Sequence, residues 1–204
     1  MTLDATIRAV QAKLGVIVDG TPGPQTWSAI YRPLVGEPPV PSAPSTLSDE
    51  RSERSIATLL PQVQPLARAL IESAAAIGIA IKIISGTRRF AEQDALYEQG
   101  RTKAGRIVTN ARGGYTNHNF GIAFDIGVFE GGRYLDESPA YKAVGALGMK
   151  LGLEWGGNWK TIQDEPHFQL RPAWAREMSE RDMLAELRRR NSQGAAVFLE
   201  CQRS

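Results

Sequence analysis

Thr116-Asn117-His118-Asn119-Phe120-Gly121-Ile122-Ala123-Phe124-Asp125 is the stretch whose reading decides the rest, and Asp164-Glu165-Pro166-His167 completes it. Together they contain both histidines of the 204-residue chain, each with a carboxylate close by in sequence. His118, His167 and Asp125 make a three-ligand set that leaves a fourth tetrahedral position for water, as catalytic zinc requires. Asp164, just upstream of His167, is placed to take that water's proton. A single histidine near a single acid is more often an ordinary hydrogen-bonded residue. Here all the histidine falls in two acid-flanked segments shaped by Gly and Pro, and this favours a metal site. No His-Glu-x-x-His occurs, which excludes the zincin helix.

The spacing dictates local structure. His118 and Asp125 are an odd number of residues apart, so on one straight strand they would face opposite ways. A helix would bring them to one face, but two glycines and several β-branched and aromatic residues disfavour it. The sequence therefore predicts a strand over 122–129 carrying Asp125. A bend at Asn119 to Gly121 would turn His118 back toward it. Pro166 argues against a helix at the second segment. A loop entering a strand at His167-Phe168-Gln169-Leu170 would send Phe168 and Leu170 to the core, and His167 and Gln169 to a cleft.

These residues resemble a known family. Gly113 to Asp125 is similar to the Ser/Thr-x-His-x(6)-Asp signature of the M15 zinc peptidases of peptidoglycan, with Thr116 in the hydroxyl position. Asp164-x-x-His167 resembles their Glu/Asp-x-x-His element, and Ser85-Gly86-Thr87-Arg88 their Ser-Gly-x-Arg. The resemblance spans roughly residues 50–178, with three separated motifs in the right order. It implies that His118, Asp125 and His167 bind Zn2+, that Asp164 is the catalytic base, and that Arg88 contacts substrate or transition state. On the residues alone Arg88 reads as a surface charge. The wording around Ser85-Gly86-Thr87-Arg88, Ala91 to Tyr97 and His118 to Gly121, with Asp rather than Glu as base, is similar to the endolysin-like L-alanyl-D-glutamate endopeptidases. The alternative within the family is a D-Ala-D-Ala carboxypeptidase. Rivals of other classes are a non-catalytic wall-binding protein with a structural zinc, and an amidase of unrelated substrate. The intact Asp164 speaks against a binding protein.

Outward from this centre, Leu3, Ile7, Val10 and Leu14 repeat at helical spacing with Gly15 as a stop. A second helix is expected from Pro24, with Trp27, Ile30 and Tyr31 inward. Gln11 to Gly15 and Val18 to Thr26 resemble a peptidoglycan-binding module; the alternative is a helical hairpin packed on the enzyme. The expected division is a module at 1–36, a Pro/Ser-rich linker at 37–48, a peptidase domain at 49–192 and a frayed tail at 193–204. The fold class is α+β: a small antiparallel-rich sheet with the zinc cleft on one face and helices on the other, plus the small N-terminal helical module.

Within the main domain, Val63, Leu66, Leu70 and Ile77 predict a helix ending at Gly78. A strand follows over 79–84, then helices over 91–99, 139–151 and 179–190. Arg101, Lys103, Arg106 and Arg112 mark a basic loop that is either a substrate wall or plain surface. Trp155 reads as core, Trp159 as core or cleft, and Arg188 to Arg190 as a solvated helix end.

A net charge of +2 is too small to argue for nucleic acid, but suits an anionic wall. The partner expected is peptidoglycan, with no nucleic acid, no membrane insertion and a monomeric chain. The single cysteine, Cys201, forms no intrachain disulfide. No apolar run reaches about 18 residues, and no Sec signal is evident at the N-terminus. Action in the periplasm or on the outer wall would then follow release through a holin or a dedicated secretion system.

Overall fold

The computed structural model describes residues 2–16, 18–21, 26, 29, 30 and 48–198. The chain divides into two compact units, 1–43 and 44–204. Most of the expected second helix and of the 37–48 linker, together with Cys201, lies outside the described residues.

In the N-terminal unit, α1 (Leu3–Leu14) is capped by Thr2, whose hydroxyl accepts from Ala5 N, and ends in Gly15 at φ 68°. Gln11 is its one buried residue. The Gln11 amide nitrogen donates to Asp19 Oδ1 (2.7 Å), Thr21 O (3.0 Å) and Thr26 Oγ1 (3.2 Å), and its oxygen accepts from Gly20 N (2.8 Å). One side chain thus satisfies the polar groups of the following turn.

The main unit is built on β2 (Ala123–Glu130). It pairs along one edge with β1 (Ala80–Ser85), and on the other with β5 (His167–Gln169) at one end and β3 (Arg133–Leu135) at the other. β4 (Glu154–Trp155) pairs with β5, and every pairing is antiparallel. Alternation sends Ile81, Ile83, Phe124, Ile126, Val128 and Phe168 to one face. There they meet Ile56 of α2 (Glu50–Ala57), Leu70 and Ile71 of α3 (Gln64–Ala76) and, beyond α4 (Phe90–Glu98) in the chain, Tyr141 and Val144 of α5 (Ala140–Lys150). α5 carries glycines that its helix propensity disfavours. A Cβ at Gly145 would lie 2.4 Å from the Trp155 ring, and one at Gly148 2.3 Å from Phe168, so packing against the sheet overrides propensity. A second, smaller cluster joins Phe120 and Ile122 to Met183 and Leu187 of α6 (Glu180–Ser192).

The α+β expectation with an antiparallel sheet describes this architecture, and several local readings need correction. Helix α2 and strand β3 were not anticipated; both are short, and α2 is mostly polar. Ile77 caps α3 and is 53% exposed, because the helix closes at Ala76 and Gly78 turns away at φ 78°. Arg188 and Arg190 are not merely solvated: their guanidinium groups lie over Tyr115 (4.2 Å) and Trp174 (4.5 Å). Fraying was expected from 193 on, yet Trp174 Nε1 donates to Val197 O (2.8 Å) and Phe198 packs on both hydrophobic clusters.

Helix α2 seats the end of β1 beside the cleft. Asp49 caps it, accepting from Ser52 N (2.7 Å) and pairing with Lys82 of β1 (2.6 Å). Ser52 Oγ in turn accepts from Ile83 N (3.1 Å). Burial pushes the Asp49 carboxyl up, but Lys82 and the Ser52 contacts outweigh it and hold the pKa at about 2, against an ordinary 3.8. A depressed folded-state pKa contributes stability above the unfolded value and loses it as pH falls through the folded one. Asp49→Ala should therefore cost about 1 kcal/mol at neutral pH, the usual worth of an N-cap. In urea titrations the gap between wild type and variant should close as pH falls from about 4 toward 2. A gap that persists at the acid end would remove the assigned cause.

Candidate active site

Register places the first two polar groups. Asp125 of β2 lies directly opposite His167 of β5, and next to them Phe124 opposes Phe168. The two phenyl rings stack at 5.8 Å on the core face, so Asp125 and His167 emerge together on the other face. His118 arrives from a 3₁₀ turn, Asn117–Phe120, closed by Gly121 in the left-handed region at φ 70°. A side chain at Gly121 would strain that backbone, and the Gly121 carbonyl accepts from Leu60 N (3.0 Å).

The three side chains converge. His118 Nε2 lies 3.2 Å from Asp125 Oδ1, His167 Nδ1 3.3 Å from the same oxygen, and the two ring nitrogens 3.3 Å apart. Donors held tetrahedrally at zinc–nitrogen and zinc–oxygen lengths would stand about 3.3–3.4 Å apart. His118 Nδ1 faces Gly86 O at 2.8 Å, and a carbonyl only accepts, so that nitrogen carries the hydrogen and Nε2 turns its lone pair inward. This donor set fits a divalent cation, and His118, Asp125 and His167 form a group able to hold one.

The electrostatics are those of a crowded buried site. Burial pushes the Asp125 carboxyl up, but the charge and hydrogen bonds of His118 and His167 overcome it and hold it well below the carboxylate range. Burial pushes the His167 imidazole down, yet Asp125, Gln169 and Asp164 bring it above its ordinary value. Burial and the neighbouring Asp125 push the Asp164 carboxyl up, against the opposing pull of both histidines and Arg88.

Arg88 turns inward. Its Nη2 donates to Asp125 Oδ2 (3.0 Å) and Ser85 Oγ (2.9 Å), and its Nη1 to Gln93 Oε1 (3.0 Å). The guanidinium thus engages the Asp125 oxygen that the histidines leave. Gln93 is fully buried and continues the chain of contacts, donating to Ala111 O (2.8 Å) and Thr109 Oγ1 (3.1 Å) of the basic loop. Gly86, within the same motif, leaves room for α2: a Cβ there would lie 2.4 Å from Ser55 O.

Asp164 lines a cleft of about 1020 Å³, walled by Tyr97, Arg112 and Tyr115 on the 97–115 segment and by Trp159 and Ile162 on the 156–164 loop. That loop folds tightly onto β5. Asp164 N donates to Gly156 O (3.1 Å), and a Cβ on Gly156 would sit 2.5 Å from Asp164 O and 3.0 Å from His167 Cβ. Trp159, for which core and cleft readings were both open, lines the cleft with its ring 4.8 Å from that of His167.

The cations around the cleft differ in their commitments. Arg101 donates to Tyr97 O, Thr109 O and Asn110 Oδ1, and Lys103 pairs with Glu98. Arg171 pairs with Glu154 and Glu180. Arg112 lies 4.7 Å over the Tyr97 ring and makes no ion pair among the described residues. Of the basic-loop residues named from sequence, Arg112 is the one that faces the cleft.

Sequence reasoning missed Gln93, Asn117, Glu154 and Glu180 as parts of the site. It sent Gln169 to the cleft with His167, since the two share a strand face, but gave it no role.

Residues 109–170 match a Peptidase M15 family described as D-alanyl-D-alanine carboxypeptidase. The peptidoglycan L-alanyl-D-glutamate endopeptidase CwlK of Bacillus subtilis (strain 168) is 40% identical over 126 residues, covering 56% of this chain and 74% of that protein. Among solved structures, the Serratia marcescens L-Ala D-Glu endopeptidase ChiX aligns at a TM-score of 0.47 with 23% identity, over 60% of this chain and 87% of its own. The vancomycin-resistance D,D-pentapeptidase VanY from a VanB-type cassette, in complex with Zn(II), aligns at 0.45 with 16% identity, over 68% and 81%. With three separated motifs, a converged donor set and a relative at this identity over most of its length, the chain belongs to the M15 peptidase family.

Proposed function

We propose that the chain is a zinc-dependent peptidoglycan endopeptidase that hydrolyses the bond between L-alanine and D-glutamate in the stem peptide, acting on the wall outside the cytoplasm. The observation that carries this reading is the 40% identity to an enzyme of that specificity. The converged His118, Asp125 and His167 supply its metal site. A D-Ala-D-Ala carboxypeptidase is the second reading, favoured by the description of the matched family.

His118, Asp125 and His167 would hold the ion, which when bound would acidify water and polarise the scissile carbonyl. Asp164 takes a proton from the attacking water and delivers it to the departing amine. Arg88 keeps Asp125 Oδ2 engaged, directs Oδ1 inward, and places positive charge beside the developing oxyanion. Arg112, cradled by Tyr97 and without an ion pair among the described residues, receives a substrate carboxylate downstream of the cut. D-Glutamate linked through its side chain leaves its α-carboxylate available for this contact.

Mass spectrometry of digested muropeptides tests the bond. Cleavage should leave L-alanine on the lactyl group, stop on chelation and resume with zinc. Release of D-alanine alone would move the assignment to a carboxypeptidase.

Base and ligand are separable. Asp164→Asn should keep stoichiometric zinc and lose roughly 100-fold or more in rate, whereas Asp125→Asn should lose zinc affinity. A base must be ionised, so the wild-type rate should fall as acid protonates Asp164; in the metal-free protein burial and Asp125 push that carboxyl up, and a bound divalent ion pulls it back down. Loss of zinc by Asp164→Asn would reverse the two roles.

Arg112→Gln should raise KM roughly 10-fold on D-isoglutamate stems and leave kcat nearly unchanged, the scale of one charged hydrogen bond in a screened cleft. Stems amidated at that carboxylate should discriminate the variant from wild type far less. Equal effects on both stems would place the Arg112 contact elsewhere on the substrate.

A further inference from the structure

His118 and His167 reach the site in different ways. The backbone carbonyl of Gly86 fixes which nitrogen of His118 carries the hydrogen. For His167 that task falls to a side chain. Its Nε2 lies 3.0 Å from Gln169 Oε1, two residues along the same strand face. An amide has an oxygen at one end and an NH2 at the other, and the wrong end would turn His167 around. With NH2 toward Nε2, the ring would present Nε2 as an acceptor and Nδ1–H to the site, blocking the nitrogen that faces Asp125.

Three neighbours decide which end points where. Gln169 Nε2 lies 2.6 Å from Glu154 Oε2 and 3.5 Å from Glu180 Oε2, and ionised carboxylates only accept. Gln169 Oε1 accepts from Asn117 Nδ2 at 2.6 Å. Asn117 is held the same way, since its Nδ2 also donates to Glu180 Oε1. Arg171 pairs with both acids, binding Glu154 through Nε and Glu180 through Nη2 (2.7 Å). The guanidinium supplies positive charge beside the two carboxylates. Gln169 is fully buried, so no bulk water offers its amide an alternative.

We propose that Gln169 is a positioning residue of the metal site: its carbonyl oxygen holds the hydrogen of His167 on Nε2 and turns the Nδ1 lone pair toward Asp125 and His118. Glu154 and Glu180, clamped by Arg171, set the direction of the Gln169 amide. The proposal rests on the metal reading above and extends it through two further layers of side chains. It also ties α6 to the site, because Glu180 is the first residue of that helix. None of these groups touches substrate in this role; each acts through His167.

The test measures zinc affinity by chelator competition on the full chain, with zinc stoichiometry and thermal unfolding of the metal-free proteins alongside. Gln169→Leu removes the orienting oxygen and should weaken zinc binding 10- to 100-fold, the usual effect of losing a ligand's supporting hydrogen bond. Glu154→Gln leaves Gln169 and His167 untouched but replaces an acceptor-only group with one that can also donate. It should weaken zinc in the same direction by a smaller factor. Nitrogen NMR of neutral His167 in the metal-free protein should show the Nε2–H tautomer in wild type and a mixture in both variants, a change that a purely structural Gln169 would not produce. Wild-type zinc affinity and an unchanged tautomer in a folded Gln169→Leu would overturn the proposal. If that variant does not fold, Glu154→Gln decides it, and unchanged affinity and tautomer there overturn it. Absence of zinc binding by wild type would instead sink the metal reading beneath it.

Discussion

The site depends on one cross-strand pair. Asp125 and His167 stand opposite each other only because β2 and β5 pair in the register that also stacks Phe124 on Phe168. A slip of one residue would send the phenylalanines to the cleft and the polar pair into the core, so the hydrophobic face enforces the chemistry of the other. The aromatic pair belongs to a core that α2, α3 and α5 close from one side. The placement of the donors is thus inherited from core packing on the opposite face of the sheet.

The same constraint explains the polar shell. Buried charges and amides are costly unless every group is partnered. Asp125 is partnered by two histidines on one oxygen and by Arg88 on the other. Arg88 is in turn held by Ser85 and Gln93, and Gln93 reaches the backbone of the basic loop. On the opposite flank His167 leads through Gln169 to Glu154, Glu180 and Arg171. Two chains of contacts therefore run outward from one carboxylate–imidazole pair, one toward each side of the cleft.

Much of this was legible in the sequence, and the reason is chemical. Histidine is scarce here, so its two positions stood out, and Gly121 and Pro166 marked the bends around them. Two glycines with β-branched and aromatic residues after Gly121 spoke against a helix and disclosed the strand over 122–129. The polar shell was not legible, because glutamine, asparagine and glutamate are common surface residues and only tertiary contacts assign them a role. Gln93 shows the point: it lies in a helix with no pronounced apolar face, yet it is fully buried. Helix α2 was missed for a related cause, since Ile56 is its only buried apolar residue and the buried Ser52 serves β1 through one hydrogen bond.

Scaffold and cleft walls draw on different parts of the chain. Asp125 and His167 sit on paired strands, and His118 on a turn closed by Gly121 and packed beside Leu60. The cleft walls come from the segments 97–115 and 156–164, whose exposed Val108, Tyr115, Trp159 and Ile162 fill no core. Metal-assisted amide hydrolysis asks the same of its donors whichever bond of a stem peptide is cut. On the proposed reading, choice of bond falls to the groups lining the cleft, on those two segments and at Arg171 and Glu180. Fixed donors on a sheet and variable walls on loops let one catalytic arrangement serve different cuts without disturbing the packing that holds the donors in place.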